Sequence, residues 1–65
     1  MKFGEYVRSK GHTTKSLAEA VGISVRTMEG YTTGRFSLKQ ARALLVWNIA
    51  GALGTTVEYL LSFDD

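Results

Sequence analysis

The chemical resource of this chain is its set of eight basic residues, and all of them lie in the first 42 positions: Lys2, Arg8, Lys10, Lys15, Arg26, Arg35, Lys39 and Arg42. Only Glu5, Glu19 and Glu29 oppose them there, a net of +5, whereas residues 43–65 hold no base and three acids (Glu58, Asp64, Asp65), a net of −3. A basic front and an acidic tail suit a polyanion on one side of the molecule; chance segregation in a short chain gives the same count. Other chemistry is thin. Cysteine and proline are absent, which excludes disulfides, thiolate zinc sites and thiol nucleophiles. The single histidine, His12, lies between Gly11 and Thr13 and reads as a turn residue. No paired acid/base set, nucleophile motif or phosphate-cradling glycine loop is present. The expectation is a protein that is not an enzyme and needs no cofactor, metal or small-molecule ligand.

The elements that must position these cations are legible from punctuation. Sixty-five residues make one domain. Phe3, Tyr6 and Val7 share a face, and Gly11 follows Lys10, which predicts a helix over about 2–10. Thr13 is placed to cap a second helix that carries Leu17, Ala18 and Val21 and stops at Gly22. Ser24 is placed to cap a third, with Met28 and Tyr31 inward and Gly34 as its stop. Ser37 and Gln40 have capping-box spacing, as do Thr55 and Glu58. They predict a long fourth helix from Ser37 to Gly54 and a fifth that carries Val57, Leu60 and Leu61. No stretch alternates with period two.

The fourth helix is apolar nearly all round. Leu38, Leu45, Val46, Ile49 and Leu53 fall within about 80° of one another, and Leu44 and Trp47 point the other way with Gly51 between them. Burial from several sides is the first expectation for such a helix, and a face given to a second copy is the other. Trp47 is expected in the core, with Tyr6, Tyr31 and Tyr59 as packing residues. The N-terminus has no apolar secretory segment, and Ala43–Gly54 is too short to span a bilayer. A cytoplasmic protein with no membrane partner is expected.

Between Thr13 and Gly34 two helices of about eight residues are joined by Gly22-Ile23-Ser24, which has the form of a helix-turn-helix. Ala18 lets the second helix cross closely, Gly22 permits a left-handed turn, Ile23 drops inward and Ser24 caps. The segment from Thr13 to Arg35 resembles the phage repressor/Cro-like (XRE) helix-turn-helix family at Leu17-Ala18, Gly22-Ile23-Ser24, Thr27-Met28, Tyr31 and Gly34-Arg35. Ile49-Ala-Gly-Ala-Leu-Gly54 and the following Thr55, Val57, Glu58, Leu60 and Leu61 are similar to its fourth and fifth helices. The resemblance covers nearly the whole chain. It implies an all-α, compact five-helix bundle of the lambda repressor type, one domain over 1–65 with its core about 13–34, and a third helix that enters the DNA major groove.

By that resemblance, base contacts fall on Val25, Arg26 and Gly30, with Thr27 and Glu29 nearby, and backbone contacts on Thr14, Thr33 and Arg35. Arg26 carries the fork that matches guanine O6 and N7, and Val25 can meet a thymine methyl. Thr14 and Thr33 can donate to phosphate, and Lys15, Arg35 and Lys39 add sequence-independent attraction. Ser24 stands at the same helix end, as a backbone contact or as a cap alone. Three departures thin the polar surface: Thr14 where glutamine is usual, Thr32 where glutamate is usual, and Gly30 without a side chain. The stretch between Gly34 and Ala43 is also longer than usual, read as an extended start to the fourth helix. The function implied is a small sequence-specific DNA-binding regulator, a repressor that acts on double-stranded DNA as a homodimer. The alternative is an interaction or antitoxin-like module on the same fold.

Overall fold

Hydroxyl caps set where three of the five α-helices begin. The computed structural model describes residues 2–64; Asp65 and the side chain of Asp64, two of the three C-terminal acids, lie outside that description. Five α-helices follow in order, α1 (Phe3–Ser9), α2 (Thr14–Val21), α3 (Val25–Thr32), α4 (Ala43–Leu53) and α5 (Val57–Leu61), with 3-10 turns at Leu38–Gln40 and Ser62–Asp64. Thr13 Oγ1 accepts the Ser16 N–H at 3.0 Å while Ser16 Oγ accepts the Thr13 N–H at 2.9 Å. Ser24 Oγ accepts the Thr27 N–H at 3.1 Å. Each bond satisfies donors that a helix start leaves without partners. His12 belongs to this start as well, its Nδ1 lying 2.9 Å from Ser16 Oγ.

The stop of α2 explains the tightness of the next turn. Gly22 takes φ +78°, a left-handed value open to glycine, and the N–H groups of Gly22 and Ile23 both reach the Ala18 carbonyl, at 2.9 and 3.0 Å. The chain then re-enters a helix after one further residue. Leu17 and Ala18 of α2 and Met28 of α3 are fully buried where the two helices meet. α2 also packs on α1 and α4, and α1 lies across α3. Gly4 is the contact point there: a Cβ at Gly4 would sit 2.6 Å from the Thr32 carbonyl oxygen.

Two expected helix starts are displaced. α4 does not extend back to Ser37. Ser37 Oγ instead accepts the Lys39 N–H at 3.1 Å and starts the 3-10 turn, after which Ala41 and Arg42 are extended, with ψ of 158° and 141°. Leu38 from that turn is nonetheless buried in the common core and lies against α5. The start of α5 moves by one residue. The Thr55 N–H bonds the Ala50 carbonyl at 2.9 Å and closes the end of α4, so Thr56 is the cap, its Oγ1 accepting the Tyr59 N–H at 3.1 Å.

The core gathers one or more residues from every α-helix: Val7, Leu17, Met28, Ile49 and Leu60, with Leu38 between. Phe3, Tyr6, Tyr59 and Phe63 form a ring cluster, with centroids of Tyr6, Tyr59 and Phe63 5.2–5.3 Å apart, that ties the C-terminal turn to α1. Trp47 is not in the core. Val46, Ile49, Ala50 and Leu53 fill the inward side of α4, leaving Trp47 and Leu44 on the outside, 69% and 70% exposed. Among the described residues no helix is long and apolar enough to cross a membrane.

Candidate nucleic-acid interface

The eight bases are all exposed, so the question is which of them share a surface with α3. On α3 the inward side is Met28, and Thr32 leans on α2. At about 100° per residue, Arg26, Glu29 and Thr33 fall within an arc of about 60°, and all three are exposed. This is the free face of the helix. Ser24 is exposed at its N-terminal end; Val25 beside it is half-buried against the core.

Thr27 and Gly30, also expected on the contact surface, are placed elsewhere. Thr27 is half-buried, its Oγ1 accepts from Ser24 Oγ at 2.9 Å, and it lines a groove of about 560 Å³ beside Tyr31, Ala41 and Leu45. Gly30 is buried, because the ring of Phe36 lies over it. A Cβ at Gly30 would overlap that ring. The Phe36 N–H also bonds the Gly30 carbonyl at 2.9 Å. Gly30 is therefore a seat for Phe36 rather than a gap in the readout surface.

Phe36 was not anticipated. It is 47% exposed, meets Tyr31 edge-on at 5.5 Å between centroids, and has the Arg35 guanidinium 5.8 Å from its own centroid. An apolar ring with a cation beside it thus borders the free face of α3. The available signal was a glycine inside a helix followed, just past the Gly34 turn, by an aromatic residue. Seven glycines in the chain made that signal weak.

The hydroxyls have prior engagements. Thr33 Oγ1 donates to the Glu29 carbonyl at 2.6 Å. Thr32 Oγ1 reaches the same carbonyl at 3.4 Å and lies 3.3 Å from Thr14 Oγ1. A hydroxyl has one hydrogen, so Thr33 donates to a phosphate only by turning away from Glu29. Thr14 and Thr32, read separately as departures from a pattern, form one contact that links the start of α2 to the end of α3. Lys15 stands exposed one residue after Thr14, at the helix end that favours anions. Arg35 is exposed over Phe36, and Lys39 is exposed on the 3-10 turn. Arg26, Glu29 and Thr33 thus form the free face of α3, and Phe36 with the Arg35 guanidinium by its ring borders it, while Lys15 and Lys39 stand exposed on other elements.

No protein-family model, curated protein or solved structure matches this chain. The functional reading therefore stands on the residues and their placement.

Proposed function

We propose that the protein is a small, sequence-specific DNA-binding regulator, a cytoplasmic repressor that acts as a homodimer through a helix-turn-helix formed by α2 and α3. The observation that carries this reading is the free face of α3. Arg26, Glu29 and Thr33 project from a helix that is held on its other sides by α2, α1 and Phe36. A helix with one exposed polar face, set on a tight glycine turn, suits the width of the major groove. Arg26 reads a guanine edge, Val25 and Phe36 supply apolar surface for thymine methyls, and Lys15, Arg35 and Lys39 neutralise phosphates. Bound protein would act by occlusion, blocking access to the DNA that it covers, with α1–α5 held in a single core.

Titration of a labelled random duplex pool by fluorescence anisotropy, at several salt concentrations, tests this. Binding that weakens steeply as salt rises supports the reading. A folded chain that leaves the pool unbound at low salt overturns it. That result would favour the second reading, an interaction or antitoxin-like module, whose support is the exposure of Leu44 and Trp47 and the presence of Glu29 on the α3 face.

A further inference from the structure

The outer side of α4 combines two features that the monomer does not use. Leu44 and Trp47 stand out into solvent as large apolar side chains. Beside them Gly51 leaves a hollow of about 410 Å³, lined by Trp47, Ala50, Thr55, Val57 and Glu58 among others. Gly51 has no reason of its own within the chain. It lies in the interior of α4, its φ is not left-handed, and a Cβ built there meets nothing within 4 Å. Helix interiors disfavour glycine relative to alanine, and a glycine with nothing near it fits a close approach by something outside the chain.

We propose that this face is where two copies of the chain meet, α4 against α4, antiparallel about a two-fold axis near Trp47 and Asn48. Leu44 and Gly51 are then about equally far from the axis, some 5 Å along the helix on either side. A two-fold operation brings Leu44 of the second copy over the Gly51 hollow, and the reverse, so knob and hole on one face complete each other. The charges agree. Arg42 stands at the N-terminal end of α4 and Glu58 at the rim of the hollow near its C-terminal end. Antiparallel pairing sets each Arg42 beside Glu58 of the other copy, twice per dimer. A parallel pairing would instead set Arg42 against Arg42. The stripe between them, Leu44, Trp47, Asn48 and Gly51, is uncharged, as suits the centre of an interface. This inference deepens the homodimer part of the proposed function, but it uses none of the DNA-facing residues.

The test is therefore made without DNA. Trp47 is the only tryptophan in the chain, so its emission reports this face directly. Sedimentation velocity on the full chain over a concentration series should show a reversible dimer. Trp47 emission should shift to shorter wavelength with the same midpoint. Gly51→Gln fills the hollow from open space, and circular dichroism checks that the monomer keeps its helices. It and Arg42→Glu should each weaken the dimer by about tenfold or more. The double variant Arg42→Glu/Glu58→Arg should recover most of that loss. A monomer with unchanging emission over the whole series overturns the proposal. So does a dimer that none of these variants weakens, or an emission shift that needs lipid vesicles or another protein. A chain that pairs as described and ignores DNA would sink the regulator reading alone.

Discussion

Gly30 and Gly51 are both helix-interior glycines, and replacing each by alanine should move stability in opposite directions. In an open helix position the exchange is favourable by about 0.8–1.0 kcal/mol. Gly51 is such a position, since an added Cβ meets nothing within 4 Å. Gly51→Ala should therefore raise the midpoint of thermal unfolding by about 4–8 °C for a domain of this size. At Gly30 the same gain is opposed, because the new Cβ overlaps the Phe36 ring and the ring must leave. Phe36 is 47% exposed. About half of a phenyl side chain's roughly 200 Å² is thus covered, worth about 2.5 kcal/mol at 25 cal/mol per Å². The edge contact with Tyr31 adds about 0.5–1 kcal/mol. Net, Gly30→Ala should destabilise by about 2–2.5 kcal/mol, a fall of roughly 8–20 °C. The assay is far-UV circular dichroism against temperature and urea, at one low protein concentration so that pairing does not contribute. A double-mutant cycle isolates the cause. Once Phe36→Ala has removed the ring, adding Gly30→Ala should stabilise by about 1 kcal/mol. If Gly30→Ala stabilises the protein with Phe36 in place, the seat is not as described and the reasoning fails.

Other expectations follow from the same geometry. If Lys15, Arg35 and Lys39 each neutralise one phosphate, the log–log salt slope is about −2.7 per protomer, and a fourfold rise in salt weakens binding about 40-fold. Lys15→Gln and Arg35→Gln should each make that slope shallower by about 0.9 while leaving the preferred sequence alone; a slope that neither changes removes them from the interface. Arg26→Ala should relax one base position per half-site, at about 1–3 kcal/mol, as read by selection from a random pool; an unchanged preferred site means that Arg26 does not read a base. Ser24→Ala should lower stability by about 1 kcal/mol through loss of the α3 cap, measured by urea unfolding, and no change would mean that the Ser24–Thr27 bond contributes nothing.

Much of the fold was legible because its signals are local. A hydroxyl followed at i+3 by a free N–H, and a glycine at the point of reversal, located Thr13, Gly22 and Ser24 correctly. The failures are places where two local solutions compete. Ser37 has a capping residue's chemistry, but nothing in its type says whether three residues or sixteen follow in a helix. The break at Ala41–Arg42 carries no capping hydroxyl, so it leaves no mark in the sequence. Thr55 and Thr56 are chemically alike, and the end of α4 decides between them by claiming the N–H of Thr55. Arg26 and Arg35 could be read from the sequence as cations on and beside α3, but Phe36 could not, since its position depends on the fold of the Gly34–Ser37 stretch over Gly30. Trp47 was misplaced for a related reason. An all-apolar helix does not state which of its sides the rest of the chain can reach, and here Val46, Ile49, Ala50 and Leu53 satisfy the core.

The thin polar surface of α3 and the unused face of α4 bear on each other. On the proposed reading one protomer contributes a single arginine fork, about 1–3 kcal/mol of discrimination. Specific sites typically stand about 4–10 kcal/mol above non-specific DNA. One copy therefore falls short, and two joined copies reach the lower part of that range. Joining also makes the second contact intramolecular, which can raise avidity about 10²–10⁴-fold without a new contact to DNA. A chain with so little readout per copy thus needs a rigid partner, and α4 is an element of the same core that holds α2 and α3. It follows that a variant which breaks α4 pairing but leaves α3 intact should keep the salt-dependent attraction to DNA and lose preference among sequences.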